Sequence, residues 1–326
     1  MHRMIGIDIG GTKCAVVLGE VTESIQILDR ISFPTQAAKG YEQARERIFG
    51  AVEEMMRRHG LAAKDVRAIG VSCGGPLNSK RGVVLCPPNL PGWVDVPIVA
   101  LLEERFGVPA FLQNDAKACA LVEWKMGAGR GCHDMIFLTM GTGMGSGIIA
   151  ADRLISGASD MGGEVGHIRI EDDGPVGFGK RGSFEGFTSG GGIALLAQGM
   201  ARDALQSGTP FSFGMDEEAI GALDTKVLAQ AAQAGDKDAV RIFRIVGEKL
   251  GKGLALLIDI LNPERIVIGS VFVRCENLLR PTMEEALRRE CLPFSLEACR
   301  IVPAGTGEDL GDLASVMVAA HALELI

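Results

Sequence analysis

An α/β fold of two duplicated, layered domains around a cleft is the architecture this sequence predicts. Three observations lead there. The chain has 326 residues, more than the roughly 100–200 of one ordinary domain. A strand, a glycine-rich turn and a returning strand occur twice, around Gly10–Lys13 and again about 130 residues later around Gly141–Gly147. After each copy, helical and strand patterns alternate, as layered α/β units require.

The elements follow in order. Met4–Ile9 reads as a strand, Cys14–Leu18 as its return and Ile25–Phe33 as a third strand. Tyr41–Arg58 carries Ile48, Val52 and Met55 at helical spacing, and Gly60 stops it. Arg67–Cys73 is a strand, Val96–Phe106 a helix, Pro109–Gln113 a strand and Ala116–Met126 a helix. The second round opens with strand Asp134–Met140, glycine turn Gly141–Gly147 and returning strand Ile148–Ala151. After an irregular stretch, Gly162–Ser189, come helices at 190–205, 225–234 and 236–260. Strand Arg265–Gly269, helix Glu276–Arg289, strand Cys299–Val302 and helix Gly311–Leu325 close the chain. A ligand is expected in the cleft between the two copies.

Composition narrows the function. Hydrophobic residues at 47% and charged residues at 23% give a globular balance. Aromatics at 5% leave an aliphatic core. The net charge is -8 and no basic stripe is present, which excludes a nucleic-acid binder. The eight Cys are scattered without a C-x-x-C, several within apolar runs, so reduced thiols and a cytoplasmic location are expected. The first strand starts at Met4, leaving no signal peptide, and no run of about 18 apolar residues predicts a membrane span.

Five groups of residues can carry chemistry. In Asp8-Ile9-Gly10-Gly11-Thr12-Lys13 the glycines let backbone N–H groups approach an anion, Thr12 and Lys13 add donors, and Asp8 can hold a phosphate-bound Mg²⁺ through water. A plain hairpin turn is the other reading. Gly141-Thr142-Gly143-Met144-Gly145-Ser146-Gly147 repeats the device, and two such turns facing across a cleft would grip a triphosphate. Neither is a Walker A loop nor a G-x-G-x-x-G opening a helix. Asn114-Asp115 opens a helix, with Asp115 either an N-cap or a general base at the cleft floor. Glu164, His167 and Glu185 in the glycine-rich stretch suit sugar hydroxyls, or else solvent and backbone. Asn89 adds an amide, and Trp93 is either a ring platform or a core residue.

These segments, taken together and in order, resemble the ROK family of bacterial sugar kinases, glucokinase-like, nearly end to end. Gly162-Gly163-Glu164-Val165-Gly166-His167 resembles the family's E-x-G-H signature, and Asn262–Gly269 the segment leading to its adenosine pocket. The resemblance implies two duplicated ribonuclease-H-like (actin-like ATPase) domains, 1–115 with the C-terminal helix 312–326, and 116–311. It implies Asp115 as catalytic base and Asn89, Asn114, Asp115, Glu164, His167 and Glu185 as sugar contacts. It implies Asp8, Gly10, Gly11, Thr12, Lys13, Gly141, Thr142, Gly143, Gly145 and Gly269 on the nucleotide, with Ser270 where a second glycine is usual. ATP and Mg²⁺ are the implied cofactors, a hexose the partner, and a homodimer a common family state. The family's zinc loop departs here: Val176, Phe178 and Ser183 stand at its cysteine places. No zinc is therefore expected, and packing by Val176 and Phe178 is expected to order the loop. The implied activity is ATP-dependent phosphorylation of a hexose, at C6 of glucose. Fructose, mannose, allose and N-acetylhexosamines are alternative substrates, and a sugar-sensing regulatory protein is the alternative from another class.

Overall fold

The computed structural model describes residues 1–326, the side chain of Glu308 excepted. β1 (His2–Ile9) buries Met4, Ile5, Ile7 and Ile9 on both faces, so it takes a central place. It pairs antiparallel with β2 (Lys13–Val21), which pairs antiparallel with β3 (Ile25–Pro34) at the edge. β4 (Ile69–Cys73) lies parallel on the other side of β1, and β5 (Ala110–Asn114) parallel to β4. The order is β3-β2-β1-β4-β5. The second sheet repeats it with β6 (Met135–Met140), β7 (Met144–Ala150), β8 (Arg153–Leu154), β9 (Arg265–Ser270) and β10 (Arg300–Pro303). Its order is β8-β7-β6-β9-β10, with the same antiparallel and parallel pairings. The expected duplication is thus present strand for strand.

α1 (Tyr41–Arg58) and α2 (Ile98–Phe106) pack their apolar stripes on the outer face of the first sheet. α3 (Asp115–Lys125) leads into the second half. There α4 (Phe184–Thr188), α5 (Gly190–Gln206), α6 (Glu217–Gly221), α7 (Thr225–Gln233), α8 (Lys237–Leu261), α9 (Val271–Glu290) and α10 (Pro293–Ala298) follow, most of them covering the outer face of the second sheet. α11 (Leu310–Ala322) returns to the first sheet. α3 and α11 pack together between the sheets and share one core with Met4, Val17, Phe137 and Val267. Layer on layer, the sequence is first sheet, α11, α3, second sheet.

Close packing here explains part of the high glycine content, 44 of 326 residues. A Cβ on Gly70 of β4 would stand 2.1 Å from the Ser315 carbonyl of α11. A Cβ on Gly147 of β7 would stand 2.4 Å from Ala120 Cβ of α3, and one on Gly145 2.7 Å from Ala116 Cβ. This corrects the expected second turn. β7 begins at Met144 rather than Ile148, so Gly145 and Gly147 are strand residues that let α3 approach. Their low strand propensity made them read as loop.

Other differences are small. α6 and α10 are too short to show a helical period. α9 begins at Val271, five residues before the expected Glu276, and Cys275 departs from helical dihedrals between its two parts. Trp93 is fully buried, edge-on to Tyr41 with ring centroids 5.2 Å apart, so it is a core residue and not a sugar platform. All eight cysteines are free thiols. Among the described residues no helix is long and apolar enough to cross a membrane.

Candidate active site

The carboxyl ends of β4 and β5, where ligands collect on sheets of parallel strands, open on a cavity of about 450 Å³. Gly74 and Gly75 follow β4 directly and form its near wall. A Cβ on Gly74 would lie 3.5 Å from Asn89 Nδ2 and 3.9 Å from Asp115 Oδ2, so this stretch of backbone runs directly beside both side chains. The sequence reading missed both glycines. The signal was a Gly-Gly-Pro placed immediately after an apolar strand.

Asn114 ends β5 and caps α3: its Oδ1 accepts the Lys117 N–H at 3.2 Å. The N-cap is therefore Asn114, not Asp115, which corrects the capping reading. Asn114 Nδ2 lies beside Gly75. Asp115, at the first helical position, accepts the Ala116 N–H at 2.7 Å through Oδ1. Its side chain meets the water of the cleft, but the surrounding protein desolvates it and pushes the carboxyl above the ordinary carboxylate range.

The far wall comes from the second half. Glu185, in the first turn of α4, accepts the Met144 N–H at 2.8 Å through Oε2. That bond joins the start of α4 to the exit of the Gly141–Gly143 turn, and among the described residues Oε1 has no hydrogen-bond partner. Glu164 and His167 flank the single 3-10 turn Val165–His167, on the cavity side. Burial raises the Glu164 carboxyl, with Lys117 opposing and Asp115 and Glu185 adding to the rise. Phe178 stands with its ring edge-on to His167, centroids 6.2 Å apart, and supplies the cavity's aromatic face.

The cavity thus gathers Asn89, Asn114, Asp115, Glu164, His167, Glu185, Gly141, Thr142, Gly143 and Gly145. Asp8, Gly10, Gly11, Thr12, Lys13 and Gly269 lie outside its lining. Gly11 abuts it from behind, since a Cβ there would stand 2.9 Å from Asn89 Cβ. The Gly10–Lys13 turn is closed by the Gly10 N–H to the Lys13 carbonyl at 3.1 Å, and held by the Thr35 hydroxyl on the Gly10 carbonyl and the Thr35 N–H on the Thr12 carbonyl at 2.9 Å. Asp8 is pushed up to about 7 by burial and by the charges of Asp115 and Asp312, with Lys13 opposing. Gly269 is buried in β9, and Ser270 after it has φ +61°, a conformation glycine adopts without strain.

Val176 and Phe178 are largely exposed, so they do not order their loop by packing, contrary to expectation. Its order comes from a two-strand hairpin, Val176–Gly177 with Lys180–Arg181, from the Ser183 cap on α4 and from the buried Phe184 and Phe187. Ser183, at a cysteine place, spends its hydroxyl on Gly177 and Gly186. The donors of this loop do not fit zinc, and among the described residues no three His, Cys, Asp or Glu side chains converge to hold a metal.

Two sheets of one topology, joined through α3 and α11 around a polar cleft, define the actin-like ATPase fold in the form that sugar kinases use. The chain belongs to the ROK family, whose model matches residues 4–321. The glucokinase of Thermotoga maritima is 31% identical over 319 residues, 97% of this chain and 96% of that one. A solved ROK family glucokinase from Streptomyces griseus, in complex with glucose and AMPPNP, superimposes with a TM-score of 0.75 at 30% identity, covering 96% of this chain and 98% of that one. The xylose repressor of Caldicellulosiruptor bescii is 28% identical over 269 residues, 82% of this chain and 65% of the repressor, so regulators share the family. The glucokinase relatives support sugar-kinase activity on a hexose.

Proposed function

We propose that this protein is an ATP-dependent hexose kinase that phosphorylates a sugar hydroxyl, C6 of glucose, with Asp115 as general base. One observation carries the reading. Asp115 lines the same polar cavity as Asn89, Glu164 and the second glycine turn, and Asn114 rather than Asp115 caps the helix. Its raised pKa suits a base that must take a proton near neutral pH.

In this mechanism Asn89, Asn114 Nδ2, Glu164, His167 and the free Oε1 of Glu185 hold the sugar hydroxyls, while Phe178 covers one face of the ring. Asp115 accepts the proton of the attacking hydroxyl. The oxygen of that sugar hydroxyl bonds the γ-phosphorus as the bond from that phosphorus to the ADP oxygen breaks. The Gly10–Lys13 and Gly141–Gly145 segments would face the phosphates with the N–H groups that their own hydrogen bonds leave open. Gly269 and Ser270 lead to a second cavity of about 420 Å³ between α7 and α9, lined by Thr225, Gln230 and Val271, which would take the nucleoside. Asp8 would hold a phosphate-bound Mg²⁺ through water, which would supply positive charge beside the phosphates. The lobes 1–115 with 312–326 and 116–311 close on the substrates and exclude water.

A coupled ADP-release assay with MgATP against hexoses and N-acetylhexosamines tests the reading, with Asp115→Asn as control. Sugar-dependent turnover that the variant loses is the expected result. Sugar binding without turnover on any sugar would overturn it in favour of a sensing role.

A further inference from the structure

Lys117, Asp160 and Ser79 form a set of bonds that no step above uses. Lys117 lies on α3 two residues beyond Asp115 and is 1% exposed. Burying an ammonium is costly unless acceptors surround it. Its Nζ donates to the Asp160 carbonyl at 2.6 Å. Asp160 sits in the loop after β8, with φ +60°. Its carboxylate accepts both donors of Ser79, the N–H at 2.8 Å and the hydroxyl at 2.9 Å. Ser79 belongs to the first half, in the turn of the hairpin Leu77–Asn78 with Val83–Val84, just past Gly74-Gly75-Pro76. One residue of the second half is thus bonded to the first half and to the cleft-floor helix. Met161 and Glu164, directly after it, face the cavity.

We propose that Lys117, Asp160 and Ser79 are positioning residues, a clasp that fixes the 160–164 loop so that Met161 and Glu164 shape the sugar half of the cavity before nucleotide binds. The clasp touches none of the nucleotide-side turns, Gly10–Lys13 or Gly141–Gly143. It therefore acts on sugar affinity and leaves nucleotide affinity alone. The inference rests on the sugar-kinase reading.

Calorimetric titration of the full chain with D-glucose, and separately with MgADP, tests it in wild type, Ser79→Ala, Asp160→Asn and the double variant. Ser79→Ala is expected to weaken D-glucose about 3- to 10-fold, the worth of one hydrogen bond. Asp160→Asn is expected to weaken it at least as much, because an amide offers one acceptor oxygen to the two Ser79 donors, and the double variant no further, because both changes strike the same hydroxyl–carboxylate bond. Ser79→Thr, which keeps both donors, should bind like wild type. MgADP affinity should hold within about twofold throughout, which also reports that each variant is folded. Wild-type D-glucose affinity in Asp160→Asn, or a parallel fall for MgADP, would overturn the clasp. If wild type binds MgADP but no D-glucose, the sugar reading itself fails and the clasp with it.

Discussion

The two glycine turns stand at matching places in the two halves, yet they are supported differently. The first, Gly10–Lys13, is held from outside its own hairpin by Thr35 and backed by Asn89. The second, Gly141–Gly143, is held by the opening of α5: the Gly190 N–H reaches the Gly141 carbonyl at 2.7 Å and the Gly191 N–H the Thr142 carbonyl at 3.1 Å. Glu185 then binds its exit at Met144. Glycine therefore does two jobs under one pattern. In the first turn it clears room for a site residue. In the strand leaving the second it clears room for a helix. A duplicated fold can keep its strand order while the packing around each copy diverges.

The largest expected effect falls on Asp115, which shares the cavity with the second turn. Asp115→Asn should lower kcat by about 10²–10⁴ with sugar affinity retained, read by steady-state kinetics and titration. Because Asn114 supplies the cap, the helix start survives the change.

Asp8, behind the first turn, has no counterpart in the second. A carboxyl with a higher pKa folded than unfolded contributes its stability below about 3.8 and loses it as pH rises through about 7. Asp8→Asn should therefore raise Tm by several degrees at pH 8 and leave it unchanged near pH 3.5, while activity falls. A calorimetric series across pH decides this.

Two alanine variants separate the first turn from the strand that leaves the second. Gly147→Ala drives a Cβ into α3 and should cost about 1–3 kcal/mol of stability with sugar KM unchanged. Gly11→Ala presses on Asn89 and should instead raise sugar KM about 3- to 10-fold with little change in Tm. Equal losses of stability from both would erase the contrast.

The smallest effect is expected at Ser270. Ser270→Gly relieves a left-handed backbone at the entrance to α9 and should raise Tm by a degree or two in a thermal melt.

Legibility followed the range of the interactions. The strands, the long helices and the two glycine hairpins were readable because their patterns are local. Asp115, Glu164, His167 and Glu185 were readable as candidates because unusual polar residues stood in order among glycines. Gly74 and Gly75 were missed because a Gly-Gly-Pro after a strand looks like any turn, and Lys117 because nothing local shows that a lysine on a helix will be buried. Phe178 was assigned to packing and is exposed at the cavity, whereas Trp93 was left open as a platform and is core. Burial depends on what arrives from far along the chain.

The sequence by itself determined the alternation of helices and strands, the duplication, the absence of cysteines at the zinc places and the residue types available for chemistry. Only the tertiary structure decided that Asn114 takes the cap while Asp115 lines the cavity, and that Glu185 spends one oxygen on Met144. It alone joined Ser79 to Asp160 across 81 positions. A side chain's chemistry is written in its own atoms, but its role depends on which donors and acceptors are already engaged, and those partners come from distant segments.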